Sequence, residues 1–226
     1  MSNIFRNLDW SVLTGALFSV IPALICITLH ELSHGFTAYK LGDPTAKDLG
    51  RLTLNPLKHI DLVGLVMMVI FKFGWAKPVP VSMRNFKNPK RYMAITALAG
   101  PVSNILIAVV FLFLFGLVFK PLGSSDASDA TVGNTVLNMI NQTAYLSTAL
   151  AIFNLVPIPP LDGSKILFSL LPDKAYNQLM RYERYGMILL IIFISTSAFD
   201  ETVGKITSFL FGKLYSIAIF SFQLVN

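Results

Sequence analysis

The sequence predicts an all-α, polytopic membrane protein. Only 13% of its 226 residues are charged and 54% are hydrophobic, whereas an average soluble domain is about 25% charged. Uncharged runs cover residues 11–29, 93–119 and 130–161, and a helix needs about 20 apolar residues to cross a bilayer. The single cysteine, Cys26, excludes an intrachain disulfide framework and a cysteine-based zinc ribbon. Length and composition therefore fit one membrane domain of about five or six segments.

The first helix is predicted over residues 11–40. Residues 41–58 contain helix-breaking Gly, Pro and Asp around a strand-like segment at 49–54, so a short β element is expected there. Residues 60–74 are apolar but too short for a comfortable crossing, which favours a re-entrant or interfacial piece. Residues 78–83 are predicted to be extended, because their prolines disfavour a helix.

The second half of the chain contains further membrane segments. Residues 93–119 are long enough to span with tilt, and a short loop at 120–135 separates them from the uncharged run 130–161. Residues 185–199 and 206–224 are predicted as two additional segments.

A His-Glu-x-x-His motif ends the first apolar run. On a helix His30 and His34 share one face, so both imidazoles can reach one ion while Glu31 lies beside them. Zinc suits two imidazoles and a carboxylate with a position open for water, whose proton Glu31 can take and later deliver. The alternative is a capped helix end with satisfied polar side chains. An ionisable cluster at the end of a membrane segment favours the functional interpretation, and the run that carries it is not expected to be a cleaved signal peptide.

The third metal ligand is predicted to be a carboxylate in apolar sequence. Asp162 follows thirty-two uncharged residues, and it is either that ligand or the N-cap of the next helix. His59, the remaining histidine, lies in a polar loop and is expected to be structural or exposed. Cys26 is expected to be a small buried hydrophobe and no ligand.

One shared ion constrains the topology. The segments at 93–119 and 136–161 cross the membrane once in each direction, so the chain returns to the side from which it started. His34 and Asp162 can then lie at the same depth only if residues 41–92 begin and end on one side of the membrane. If 60–74 crossed, the two side chains would lie near opposite faces of a core about 30 Å thick.

The charge of the loops predicts the orientation. Basic loops at 41–58 and 75–92 oppose an acidic loop at 120–135, which places the metal nearer the cytoplasmic face of the cell membrane and the N-terminus outside. The net charge of +6 is explained by these loops. No basic tract interleaved with aromatic residues indicates a nucleic-acid partner.

Two asparagines enter the membrane near the predicted metal. Asn104 and Asn154 are costly in lipid unless paired, so each either joins helices or donates to a substrate carbonyl or oxyanion. Pro157, Pro159 and Pro160 leave backbone groups free to pair with an unwound substrate.

These motifs resemble the site-2 protease family of intramembrane zinc metalloproteases. The resemblance rests on HELSHG (30–35), AKPVPV (76–81), GPVSN (100–104) and NLVPIPPLDG (154–163). It implies a three-helix catalytic core closed by peripheral transmembrane helices, and membrane-spanning substrates such as those of anti-sigma factors or remnant signal peptides. It further implies one Zn²⁺ per chain bound by His30, His34 and Asp162, Glu31 as the catalytic acid/base, and Asn104 and Asn154 as substrate- or transition-state-binding residues.

The chain resembles a minimal, small prokaryotic member of that family. Many members carry a PDZ domain between core helices or a C-terminal CBS pair. The 120–135 loop is too short for the former, and the residues after 185 are needed for membrane segments. Residues 1–226 are therefore expected to form a single intramembrane metalloprotease domain in the lipid bilayer.

Two other functions are compatible with a metal motif in a membrane. The first is a non-catalytic zinc-binding scaffold, or pseudoprotease, that binds transmembrane helices without cutting them. Glu31 argues against it, because a structural zinc has no need of that carboxylate. The second is a metal transporter, which would require several ligand sets along a path, whereas the sequence contains one.

Overall fold

The structure, a computed structural model, describes residues 10–61, 64, 76–123 and 130–225. Within these ranges every regular element is helical, which confirms the predicted all-α class. The α-helices are α1 (Trp10–Lys40), α2 (Thr45–Asp48), α3 (Pro89–Leu122), α4 (Ala130–Leu155), α5 (Asp162–Ser169), α6 (Asp173–Tyr182), α7 (Gly186–Ile194), α8 (Ser197–Phe199), α9 (Lys205–Leu214) and α10 (Ser216–Val225). Short 3₁₀ turns lie at Pro56–Lys58, Met83–Asn85 and Glu183–Tyr185, and a π turn at Asp200–Gly204 joins α8 to α9.

Helix α1 ends as its sequence predicts. Lys40 lies in the last turn, where a cation interacts favourably with the helix dipole. Gly42 then adopts a φ of 105°, a left-handed conformation that glycine accepts without penalty. Its N–H donates to the carbonyl of Tyr39 over 3.1 Å, so the chain turns sharply out of the helix.

Helix α3 lies at the centre of the protein. It begins with Pro89 at the first helical position, where the missing N–H is not needed. It packs against α1, α4, α5 and α10, and α1 also packs against α4. Helices α1, α3 and α4 therefore form a three-helix core, with α10 on the outside. A Cβ at Gly116 would lie 2.0 Å from the Oγ of Ser221, so this glycine allows α10 to approach α3 closely.

Three helical stretches are long and apolar enough to cross a membrane in the described part of the chain. They are Val20–Lys40, Pro89–Leu122 and Ser197–Val225. The predicted segment at 185–199 forms the nine-residue helix α7 and then bends at Ser195, so it is too short to span alone. The segment predicted at 206–224 is part of the third stretch. The protein is a polytopic membrane protein.

The predicted strand at 49–54 was wrong. Gly50 has a φ of 62°, and its N–H and that of Arg51 bond back to α2, at the carbonyls of Lys47 and Ala46. The segment is thus a turn that closes α2, and the described residues supply no neighbouring strand with which it could pair. Alternation of apolar residues without a partner does not make a strand.

The predicted re-entrant segment lies mostly outside the described residues. Its two ends meet, because Ile60 and Ala76 form an isolated antiparallel bridge and Lys77 N–H donates to the carbonyl of His59 over 2.9 Å. The chain therefore leaves and re-enters the described structure at one place.

Candidate active site

The structure brings three predicted ligands to one point. His30 and His34 lie one turn apart on α1, and Asp162 begins α5. The two Nε2 atoms are 3.0 Å apart. Oδ2 of Asp162 lies 3.2 Å from Nε2 of His30 and 3.1 Å from Nε2 of His34. All three residues are buried.

This triangle fits a zinc ion. Bonds of 2.0–2.1 Å in a tetrahedral site place ligand atoms about 3.3 Å apart, close to the three distances above. Two imidazoles and a carboxylate are also the donor set of catalytic zinc sites. Helix α5 has Leu161 at its N-cap, so the carboxylate of Asp162 does not serve as the cap and faces the histidines instead.

A carbonyl of α3 sets the tautomer of His34. Its Nδ1 lies 2.7 Å from the carbonyl oxygen of Thr96. A carbonyl only accepts hydrogen bonds, so Nδ1 carries the proton and the lone pair of Nε2 faces the triangle. Metal-binding histidines are commonly oriented in this way.

Two glycines permit the close approach of helices at the site. A Cβ at Gly100 would lie 2.4 Å from Nε2 of His34 and 2.5 Å from Cε1 of His30. A Cβ at Gly163 would lie 2.2 Å from the carbonyl oxygen of Leu155. Any side chain at these positions would push α3 or α5 away from the triangle.

Glu31 is held by a backbone donor from a distant part of the chain. Its Oε2 accepts a hydrogen bond of 2.8 Å from the main-chain N–H of Val79. Val79 lies between Pro78 and Pro80, and proline has no N–H. Val79 therefore carries the single main-chain donor of this tripeptide, and that donor binds the carboxylate of the motif.

Residues 76–82, here called the strap, are anchored at both ends. At Lys77 the N–H donates to the carbonyl of His59, and the carbonyl accepts from Nη2 of Arg51 over 2.8 Å. At Ser82 the N–H donates to Oδ2 of Asp43 over 2.6 Å. Nε2 of His59 donates in turn to the carbonyl of Thr53, so this buried histidine is structural, one of the two predicted alternatives.

The carboxylate of Asp43 accepts hydrogen bonds from residues before, within and after the strap. Besides Ser82, its carboxylate accepts from the N–H of Thr45 over 3.1 Å and from Nδ2 of Asn85 over 2.6 Å. Burial alone raises the pKa of Asp43, but the hydrogen bonds from Thr45, Asn85 and Ser82 outweigh it and hold the pKa below its usual value.

The two predicted asparagines lie in different surroundings. Asn104 is completely buried, and its Nδ2 lies 3.2 Å from Nδ1 of His30. Asn154 donates to the carbonyl of Leu150 in its own helix and bonds to none of the three ligand residues in the described structure. Substrate binding remains a prediction for both.

The residues that sequence reasoning missed act through the backbone or through the lack of a side chain. Thr96 offers a carbonyl, Val79 an N–H, and Gly100 only space. The Pro-Val-Pro spacing of the strap was the one available signal, because it isolates a single donor. Cys26, as expected, is buried, and its Sγ lies 3.5 Å from the carbonyl of Thr143.

One protein-family profile matches this chain, and several proteins with similar sequences are named "Putative zinc metalloprotease". The profile described as "Peptidase family M50" matches residues 118–196. "Putative zinc metalloprotease YwhC" of Bacillus subtilis is 38% identical over 179 residues, covering 79% of this chain and 80% of that protein. "Putative zinc metalloprotease Rip2" of Mycolicibacterium smegmatis is 30% identical, with 79% and 66% covered. "Putative zinc metalloprotease MJ0611" of Methanocaldococcus jannaschii is 30% identical, with 73% and 75% covered. No solved structure matches the chain significantly.

Proposed function

Because the chain belongs to peptidase family M50, the site-2 protease family, we propose that it is an intramembrane zinc endopeptidase. Its substrates are transmembrane segments of other membrane proteins, cut within or near the bilayer. The family and the names of its relatives support a metalloprotease. Helix α1, which carries the two histidines, and α3, which packs against them, are long and apolar enough to cross a membrane, and this supports cleavage in the membrane.

One observation carries this proposal. The side chains of His30, His34 and Asp162, from two distant parts of the chain, converge to within 3.0–3.2 Å with the donor atoms that zinc prefers. A structural helix end does not require such convergence, and leaving these groups buried without a shared cation would be costly.

The catalytic roles follow from the positions of the residues. Zinc, when bound by these three residues, supplies a Lewis acid that acidifies a water molecule and polarises the scissile carbonyl. Glu31, next to His30 on α1, takes the proton from that water and returns it to the leaving amine. Val79 holds one oxygen of the Glu31 carboxylate in place, so the other oxygen is available for the proton. The carbonyl of Thr96 accepts the Nδ1 proton of the neutral His34 ring, which leaves the lone pair of Nε2 for the zinc.

The membrane face of the site is also part of the proposal. The basic loops on either side of the segment at 60–74 support a cytoplasmic location for the ends of α1 and of the strap. The active site would then open nearer the cytoplasmic face of the cell membrane. Asn154 and the prolines that follow it would contact the unwound substrate.

Purified protein in lipid vesicles with a transmembrane model substrate tests the proposal. We expect wild type to bind one zinc and to cut the substrate. Glu31→Gln should retain the zinc and lose cleavage by about 10²-fold or more. Glu201→Gln, a change at an exposed glutamate of the π turn, provides the matched control and should cut normally. Cleavage that survives in Glu31→Gln would overturn the mechanism, and zinc binding without any cleavage by wild type would favour a scaffold.

A further inference from the structure

Asn104 has an unusual position for a membrane asparagine. It is completely buried on α3, its Nδ2 lies 3.2 Å from Nδ1 of His30, and its Oδ1 is buried without a hydrogen-bond partner. Its main-chain carbonyl accepts from Oγ of Ser147 on α4 over 2.8 Å. The side-chain amide thus lies against Nδ1 of His30, the ring nitrogen other than the Nε2 that faces Asp162.

The direction of this contact determines what His30 can do. A neutral histidine that gives the lone pair of Nε2 to a metal carries its proton on Nδ1, and that N–H needs an acceptor. The Nδ2 of an amide is a donor and cannot serve. Rotation of the Asn104 amide by a half turn exchanges Oδ1 and Nδ2, which have nearly the same size, and places an acceptor on the proton of Nδ1.

We propose that Asn104 is a positioning residue that accepts the Nδ1 proton of His30 through Oδ1 and so keeps Nε2 of His30 available to zinc. This inference rests on the proposed zinc site. If Nδ2 of Asn104 faces Nδ1 of His30 instead, Nδ2 donates to Nδ1. His30 then carries its proton on Nε2, which faces Asp162 and not the zinc.

The pattern along α3 supports this role. Thr96, Gly100 and Asn104 are spaced by four residues and share one face of the helix. Thr96 supports His34 with its carbonyl, Gly100 leaves room for both imidazoles, and Asn104 meets His30. Helix α3 thus offers one partner to each histidine, on either side of the space that Gly100 provides.

Zinc affinity, measured by competition with a chromogenic chelator on the full-length protein in detergent, tests the proposal. Asn104→Leu keeps the approximate volume and removes the acceptor, and it should weaken zinc binding about 10- to 100-fold. Asn104→Asp keeps an acceptor and removes the donor, and it should bind within about threefold of wild type. Asn141→Leu is the matched control, because Asn141 lies on α4, also has a buried amide oxygen without a partner, and is not among the hydrogen-bond or ion-pair partners of the three ligand candidates in the described residues.

The outcomes separate this inference from the proposed function. Asn104→Leu with wild-type zinc affinity, or Asn104→Asp as weak as Asn104→Leu, would overturn the positioning role. If Asn104→Leu does not fold, Asn104→Asp alone decides, since tens-fold weaker binding there would show that the donor matters. The visible spectrum of the cobalt(II) form should change in Asn104→Leu and return in Asn104→Asp. Wild type that binds zinc without cutting would remove the protease and leave the role of Asn104 in place, whereas wild type without zinc would remove both.

Discussion

The main-chain N–H of Val79 donates to Oε2 of Glu31 over 2.8 Å, although the two residues are 48 positions apart. This bond joins the strap to the helix that carries the motif. It is charge-assisted when Glu31 is ionised, and such bonds contribute about 1.5–3 kcal/mol. The proposed acid/base is therefore oriented by the backbone of a segment outside the core helices.

Replacing Val79 by proline should slow cleavage. Val79→Pro removes the N–H of Val79. Its neighbours Pro78 and Pro80 already favour an extended backbone, so a third proline is compatible with the same conformation. Without this donor the carboxylate of Glu31 gains rotational freedom, and we expect kcat to fall about tenfold, equivalent to about 1.4 kcal/mol. Zinc content should remain that of wild type.

Val79→Ala provides the control for this prediction. It keeps the N–H and shortens a side chain that packs near Gly35, so kcat should remain within about threefold of wild type. Equal rates in Val79→Pro and wild type would show that the hydrogen bond does not orient the base during turnover.

Gly100→Ala should weaken zinc binding. The added methyl group would lie 2.4 Å from Nε2 of His34, so α3 or the imidazoles must move. Overpacking of this kind costs about 1–3 kcal/mol, and zinc affinity should fall about tenfold to a hundredfold. Gly212→Ala, at a helical position with no neighbour within 4 Å of the added atom, should leave the affinity unchanged. Competition with a chelator measures both, and normal affinity in Gly100→Ala would contradict the close contact.

Asp162→Ala should lower the zinc content of the purified protein well below one ion per chain. The substitution removes the one carboxylate of the triangle, and two imidazoles alone hold zinc weakly. Asp173→Ala is the matched control, because this aspartate begins α6 and pairs with Lys90. Elemental analysis after dialysis measures the zinc content of both variants. Full zinc occupancy in Asp162→Ala would mean that another ligand completes the site.

Asp43→Asn should destabilise the protein in a pH-dependent manner. The NH₂ group of the asparagine would face either the N–H of Ser82, which donates to Oδ2, or the N–H of Thr45, which donates to Oδ1, and the free energy of unfolding should fall by about 1–3 kcal/mol at pH 7. The pKa of Asp43 is lowered in the folded protein, so its contribution is present above its unfolded pKa of about 3.9 and is lost as the pH falls through the folded value.

Thermal unfolding between pH 7 and pH 2 measures this difference. The melting temperatures of wild type and Asp43→Asn should converge toward acid pH. Asp48→Asn, at an exposed position of α2, should follow wild type throughout. A difference in melting temperature between wild type and Asp43→Asn that grows toward acid pH would contradict a lowered pKa for Asp43.

Much of the site could be predicted because it depends on spacing and topology. The four-residue interval fixes His30 and His34 on one face of a helix whatever surrounds them. The requirement that Asp162 reach the same depth left one arrangement of the crossings, and the structure has this convergence. The long uncharged runs similarly led to α1 and α3 with nearly correct ends. Helix α4 ends at Leu155, six residues before its uncharged run ends, and it is not among the described helices that are long and apolar enough to cross a membrane.

The remaining features depend on tertiary contacts that leave little trace in a single sequence. The N–H of Val79 and the carbonyl of Thr96 exist at nearly every position of any chain, so the residue type does not reveal their roles. The strand predicted at 49–54 failed because pairing needs a neighbouring strand, and the left-handed turn at Gly50 closes α2 instead. The segment at 185–199 was predicted from composition, which does not show where a helix will bend.

The four-residue ladder of Thr96, Gly100 and Asn104 on α3 has a mechanical consequence. If α3 slid along α1 by the rise of a single residue, about 1.5 Å, the Thr96 carbonyl, the space at Gly100 and the Asn104 amide would all be displaced relative to the two imidazoles at once. The geometry of the proposed metal site thus depends on the alignment of α1 with α3. A lengthwise shift of either helix would therefore disturb the surroundings of both histidines at once, without a change in any of the three ligand candidates.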